Sequence, residues 1–189
     1  MPFTVFGFGS LVNRHTLSGV LSARTGTVRG WRRAWRAPGH MAGGVGVCSL
    51  SVIPADDAIE GLFVTFADDE RTRLAARERN YDAVPLEGEG GAVIYRAKPE
   101  VERWGDAASP VSLSYLDTIL GGYLDEFGEA GAERFMATTD GWFVPILDDR
   151  AAPRYPRAVA LSPQAYRMID RLVEMVDATV TKPSDNPAA

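Results

Sequence analysis

The feature that most constrains this chain is Val5-Phe6-Gly7-Phe8-Gly9-Ser10-Leu11, an apolar strand that runs into a glycine-punctuated turn within a few residues of the start. Phe3, Val5 and Gly7 fall on one face and Thr4, Phe6 and Phe8 on the other. Apolar side chains therefore point both ways, as in a strand buried on both faces. Gly9 has no Cβ and leaves the N–H groups of Ser10 and Leu11 uncovered, so the turn is able to hold an anion. The familiar nucleotide motifs do not fit it. A dinucleotide fingerprint needs a third glycine where Val12 stands, and a P-loop needs Gly-Lys-Ser/Thr where the chain reads Ser10-Leu11-Val12-Asn13. A buried strand that turns at glycine for packing alone is the competing reading.

Length and charge narrow the classes. With 189 residues, 46% of them hydrophobic, the chain has material for one domain with a sizeable core. We expect that domain over 1–178 and a disordered tail over 179–189, rich in Pro, Asp, Asn and Ala. A net charge of −5 argues against nucleic acid or an anionic membrane as partner. Met1-Pro2-Phe3-Thr4 has no basic n-region and no stretch approaches the roughly 20 apolar residues of a membrane span, so the expected location is cytoplasmic. Cys48 is the only cysteine, which precludes an internal disulfide. His15 and His40 do not by themselves build a typical zinc site, and no metal or other cofactor is expected. Oligomeric state is left open.

Several short strands precede the main helical run. Segment 25–35 alternates loosely, with Trp31, Arg33 and Trp35 on one face; it reads as an aromatic face packed inward with solvated arginines outside. A flexible loop bracketed by Ala37-Pro38-Gly39-His40 and Gly43-Gly44, a strand over 45–53 containing an inert Cys48, a turn at Pro54-Ala55-Asp56-Asp57 and a strand over 59–66 follow. Another strand is expected over 91–97, after a loop or hairpin tip at 87–91. From position 112 the period changes: Leu113, Leu116, Ile119, Leu120, Tyr123, Leu124 and Phe127 follow helical spacing, with Gly121-Gly122 marking a close approach of another element. A short helix over 130–136 comes next. Ser162-Pro163 then caps a last helix carrying Tyr166, Ile169, Leu172, Val173 and Val176. The class is α+β, a small mixed β-barrel or curled sheet flanked by helices.

One carboxylate stands out. The spacing predicts a helix from Asp68 or Asp69 through Arg79 or Tyr81, with Leu74, Glu78 and Tyr81 at i, i+4 and i+7 on its apolar stripe. Burial there would raise the Glu78 carboxyl toward the range a proton shuttle needs. The alternative is that Glu78 reaches the helix edge or pairs with Arg77, Arg79 or another arginine.

Val5-Phe6-Gly7-Phe8-Gly9-Ser10-Leu11 resembles the Tyr/Phe-Gly-Tyr-Gly-Ser-Leu signature of the γ-glutamylcyclotransferase superfamily, which includes ChaC-like proteins. Ala76-Arg77-Glu78-Arg79-Asn80-Tyr81 is similar to its second signature, a glutamate followed shortly by tyrosine. The likeness covers about the first hundred residues, and the strands at 27–35, 45–53 and 59–66 are spaced as that family's barrel expects. It implies a cyclotransferase acting on a small γ-glutamyl substrate, in which the substrate's own α-amine attacks its γ-carbonyl to form 5-oxoproline. No protein nucleophile is then needed. Glu78 would be the catalytic proton shuttle, and Phe8, Gly9, Ser10, Leu11 and Tyr81 would contact substrate, the turn holding the α-carboxylate. Phe8 departs from the tyrosine of many relatives, and the region after Ser109 does not align with glutathione-specific members. Tyr115 and Tyr123 read as core residues that are able to reach the site; Arg150, Tyr155 and Arg157 read as a solvated loop that is able to meet a leaving-group carboxylate. A non-catalytic relative that binds a small carboxylate or amino-acid metabolite at the turn is the alternative.

Overall fold

Apolar residues on both faces put β1 (Phe3–Gly7) inside the sheet, with Val5 and Phe6 buried and Thr4 bonded to Thr65 across the ladder. Two 21-residue strands follow, β2 (Val20–His40) and β3 (Gly46–Phe66), paired antiparallel along their length. The computed structural model of the chain describes residues 1–40 and 46–183, so Gly43-Gly44 of the expected loop and Val45 of the 45–53 strand lie outside the described residues, while Ala37 to His40, expected at the loop's edge, are strand instead, paired with Ser49 to Gly46 of β3.

The turn expected at Pro54-Ala55-Asp56-Asp57 is strand instead. Pro54 stands opposite Trp31 at a register shift between Arg29 and Trp31, where Gly30 takes φ +86°. Proline has no N–H for the ladder, and an irregularity of this kind is where a sheet accommodates it; the ribbon bends there and continues.

The predicted helix around Glu78 is shorter than its spacing suggested. Asp68–Glu70 form a 3-10 turn, and α1 covers only Arg71–Arg77. Glu78 donates its N–H to Leu74 O at 2.9 Å but leaves helical geometry, and the N–H of Tyr81 returns to Glu78 O at 2.8 Å. Tyr81 begins β4 (Tyr81–Pro85), which pairs antiparallel with β5 (Val93–Ala97) across the expected tip at 87–91. Tyr and Val in a pairing-competent segment favour the sheet over a further helical turn.

After β6 (Val111–Ser112), α2 (Leu113–Ala137) carries the apolar stripe read from the sequence, and Leu116, Ile119, Leu120 and Tyr123 are fully buried. Each aliphatic side chain so removed from water contributes about 1.5–3 kcal/mol before entropy is counted. Gly128, at φ +67°, interrupts α2 between the two helices expected at 112–127 and 130–136. The close approach expected at Gly121-Gly122 is present: a Cβ on Gly122 would lie 2.6 Å from Asn13 N, so α2 packs directly on the chain leaving the opening turn.

The short β7 (Thr139–Asp140) joins the main sheet, whose order is β4-β5-β1-β3-β2-β7. A second sheet is formed by β6, β8 (Ile146–Leu147) and, after α3 (Pro163–Met175), β9 (Val180–Thr181). Ser162 caps α3 as expected, accepting from Ala165 N–H at 3.1 Å. The tail expected to be disordered from 179 thus starts with a strand, too short to show as periodicity, that pairs Val180 with Ile146 and Thr181 with Leu147. Residues 184–189 lie outside the described residues. The architecture is α+β, a curled mixed sheet flanked by three helices, and no described helix is long and apolar enough to cross a membrane.

Candidate active site

The opening turn is tight because Gly7 lets Leu11 fold back over it; a Cβ at Gly7 would lie 2.4 Å from Leu11 Cβ. Ser10–Val12 form a single 3-10 turn closed by Val12 N–H to Gly9 O at 2.9 Å. As at any helical N-terminus the first donors are left over, and among the described residues the N–H groups of Ser10 and Leu11 have no acceptor.

The turn is held from beneath by two residues. The carbonyl of Phe8 accepts from Arg33 Nε at 3.2 Å and from Tyr123 Oη at 3.0 Å. Arg33 also donates to Thr138 Oγ1 and Tyr123 Oη, both at 2.6 Å, and to the Glu60 carbonyl. Arg33, on the aromatic face expected to pack inward, is fully buried, with none of its hydrogen bonds going to a carboxylate. Burial lowers its pKa, opposed chiefly by Tyr123, yet a guanidinium stays charged in proteins. The turn thus sits on a buried cation, which favours an anion above it.

Glu78 faces this turn. Its side chain is 13% exposed and lies 3.3 Å from Arg77 Nε, while Arg77 Nη2 donates to Ser10 Oγ at 3.0 Å. One guanidinium therefore touches both the acid and the turn, the arginine pairing considered as an alternative. Burial raises the Glu78 carboxyl above the ordinary glutamate range, against the lowering effects of Arg77 and then Arg157.

A cavity of about 50 Å³ brings these groups together, lined by Phe6 to Leu11, Glu78 and Tyr81, and also by Leu50, Tyr95 and Tyr115. All six singled-out residues, Phe8, Gly9, Ser10, Leu11, Glu78 and Tyr81, are on its wall. Tyr81 donates to Leu50 O at 3.0 Å, and burial pushes the phenols of Tyr81, Tyr95 and Tyr115 up, so they are hydroxyl donors rather than phenolates. A Cβ at Gly9 would stand 3.4 Å from Tyr115 Oη and 3.7 Å from Leu50 Cδ2, two other residues of the cavity wall. Sequence reasoning missed Leu50 and Tyr95, which carry no motif and arrive by strand pairing. Tyr115, read as a core residue able to reach the site, lines the cavity, and Arg77, expected only as an ion-pair partner, also touches the turn.

The small cavity adjoins a cleft of about 630 Å³, with Tyr81 and Tyr115 on the walls of both. Tyr155 and Arg157 line this cleft, and the loop carrying them is anchored. Buried Asp149 accepts from Ser114 N–H, Ser112 Oγ, Ser114 Oγ and Arg154 N–H at 2.6–2.8 Å, and Tyr155 packs its ring 4.8 Å from that of Tyr115. Arg150 is elsewhere, gripping buried Asp117 through two 2.7 Å bonds and reaching Asp170 on α3 at 2.6 Å. Tyr123 serves the turn from the core. Cys48 is buried, which pushes its thiol up to about 12 and leaves it inert near neutral pH. Among the described residues no three His, Cys, Asp or Glu side chains gather as a metal centre.

No family model and no curated relative matches the sequence. Solved structures do match. The chain aligns with a γ-glutamyl cyclotransferase at a TM-score of 0.53 and 12% identity, over 90% of this chain and 99% of that one. The fold is that of γ-glutamyl cyclotransferase. An uncharacterized human protein shares it at a TM-score of 0.55 and 13% identity, over 89% of this chain and 98% of that one. YkqA from Bacillus subtilis shares it at 0.52 and 14% identity, over 74% of this chain and 56% of the longer YkqA chain. At these identities the likeness is one of fold, and the cyclotransferase-like sheet is what carries the turn on β1 and Glu78 after α1 to one cavity.

Proposed function

We propose that the protein is a γ-glutamyl cyclotransferase that releases 5-oxoproline from a γ-glutamyl peptide or amine. The observation that supports this reading is that buried Glu78 lines one cavity with Ser10 and Leu11, whose N–H groups have no acceptor among the described residues. The cavity has room for the head of a ligand and not for a dipeptide, so the γ-glutamyl α-carboxylate and α-amine enter it while the leaving group lies toward the cleft.

The turn N–H groups and Arg77, with the Arg33 charge beneath, bind the α-carboxylate and hold the amine beside the γ-carbonyl. Such positioning is worth several kcal/mol. The amine nitrogen forms a bond to the γ-carbon, the bond from that carbon to the leaving nitrogen breaks, and Glu78 carries the proton from the first nitrogen to the second. Atoms balance without water or a protein nucleophile. A carboxyl raised by burial is basic enough to take the proton and acidic enough to return it.

The test is to incubate the pure protein with γ-glutamyl amino acids, γ-glutamylamines and glutathione and to measure 5-oxoproline. Glu78→Gln should abolish turnover while keeping ligand-induced thermal stabilisation. Absence of product from every substrate with the folded protein would overturn the proposal.

A further inference from the structure

The cleft beside the candidate active site has a strong charge bias in a chain whose net charge is −5. Its walls carry Arg73, Arg77, Arg79, Arg154 and Arg157, against Glu70 alone among the acids. Arg73 is neutralised by Glu70 and also donates to Ser18 O at 3.0 Å, and Arg77 is engaged by Glu78 and Ser10. The remaining three make no ion-pair contact with a carboxylate among the described residues, although Arg157 is near enough to Glu78 to act on its charge. Arg157 donates to Tyr155 Oη at 3.1 Å and lies over that ring, and Arg154 has a buried Nη1 with no acceptor among the described residues. A buried donor without a partner is costly, and a guanidinium is shaped to meet a carboxylate or phosphate with two parallel bonds. The loop bearing Arg154 and Arg157 is held in place: it hangs from Asp149, and the backbone N–H of Arg154 is one of the four donors to that carboxylate.

Building on the cyclotransferase reading, we propose that this cleft receives the leaving group and selects one carrying two or more negative charges. The preferred substrate is then a γ-glutamyl conjugate of an acidic amine, such as an acidic amino acid, in preference to a neutral amino acid or a diamine. Tyr81 and Tyr115, shared by cavity and cleft, flank the passage where the scissile amide would lie. Arg79, Arg154 and Arg157 supply charge for the leaving group while Arg77 remains with the γ-glutamyl head.

The experiment compares kcat/KM for 5-oxoproline release from γ-glutamylglutamate, γ-glutamyl-O-phosphoserine, γ-glutamylalanine and γ-glutamylputrescine. The expected result is a dianionic conjugate favoured over the alanine conjugate by roughly tenfold or more, with the putrescine conjugate slowest. Whether the glutamate or the phosphoserine conjugate leads tells carboxylate from phosphate. Arg157→Gln and, separately, exposed Arg79→Gln should each shrink that ratio. Equal rates across the four, or a preference for alanine or putrescine, would overturn the inference and leave the cyclotransferase reading standing. Calorimetry with free glutamate and free alanine separates the reverse case. If no conjugate is turned over but glutamate binds more tightly than alanine in an Arg157-dependent way, the reaction fails and the anion cleft stands; if glutamate shows no such advantage, the cleft fails as well.

Discussion

The cluster beneath the turn makes a prediction with a definite sign. Two carbonyls, those of Phe8 and Glu60, are served by two side chains, Arg33 and Tyr123, and the Tyr123 hydroxyl has a single proton to share between them. In Tyr123→Phe both carbonyls keep an Arg33 donor, so the cost is that of one modest hydrogen bond, about 0.5–1.5 kcal/mol. In Arg33→Met the hydroxyl can satisfy only one carbonyl and the other is stranded, at about 1–3 kcal/mol, offset in part by removing a buried charge. The double variant strands both. Its cost should therefore exceed the sum of the single costs by one stranded carbonyl less the hydrogen bond already counted for Tyr123→Phe, on the order of 1 kcal/mol. Urea unfolding of the four proteins measures this directly, and each kcal/mol should also lower Tm by roughly 2–4 °C at this chain length. The Arg33 variants should raise KM more than Tyr123→Phe does, because they also remove the charge under the anion site. Additivity of the two substitutions, or a double variant less damaged than the sum, would refute the account of how the turn is held.

Further outcomes follow from the site. Glu78→Gln should lower kcat by roughly a hundred- to ten-thousand-fold. The same variant should raise Tm near pH 7 and raise it less near pH 4: burial holds the folded-state pKa above the unfolded value, so the stability tied to the protonated form is complete below the unfolded pKa and is lost as pH rises through the folded one. Arg77→Met removes the main group that lowers the Glu78 pKa, and the acid limb of kcat/KM should move to higher pH; an unmoved limb would argue against Glu78 as the titrating base. Gly9→Ala should fold normally, since its Cβ meets neighbours at 3.4 Å or more, but raise KM by roughly tenfold or more by filling the cavity in front of the turn; an unchanged KM would place the ligand elsewhere.

What the sequence could and could not disclose follows from the range of each interaction. The β1 turn, the break in α2 near Gly128 and the Ser162 cap were legible because each is written in a few consecutive residues. The continuation of β3 through Pro54 was not, because what rescues that proline is a register shift opposite it, more than twenty positions away in sequence. Arg33 shows the same limit. Its spacing puts it on the inward aromatic face, but the groups that make burial of its charge possible, Phe8, Glu60, Tyr123 and Thr138, meet around it only in the fold.

Glu78 was found for a reason that proved partly mistaken, and the mistake is informative. It is not on a helical stripe with Tyr81; it ends α1, and Tyr81 starts a strand. Both nonetheless line one cavity, because the reversal between them turns the chain from helix to sheet at the edge of that cavity. A glutamate in the middle of α1 would be fixed by its own helix. At the helix end its position depends on the turn closed by Tyr81 N–H and on Arg77, which is itself tied to Ser10. The acid and the anion-holding turn are thus positioned by a common set of contacts, so Ser10→Ala, which removes the Arg77 acceptor, should disturb the Glu78 pH dependence as well as ligand affinity. A Ser10→Ala protein with weaker binding and an unaltered pH profile would show that the two halves of the site are set independently.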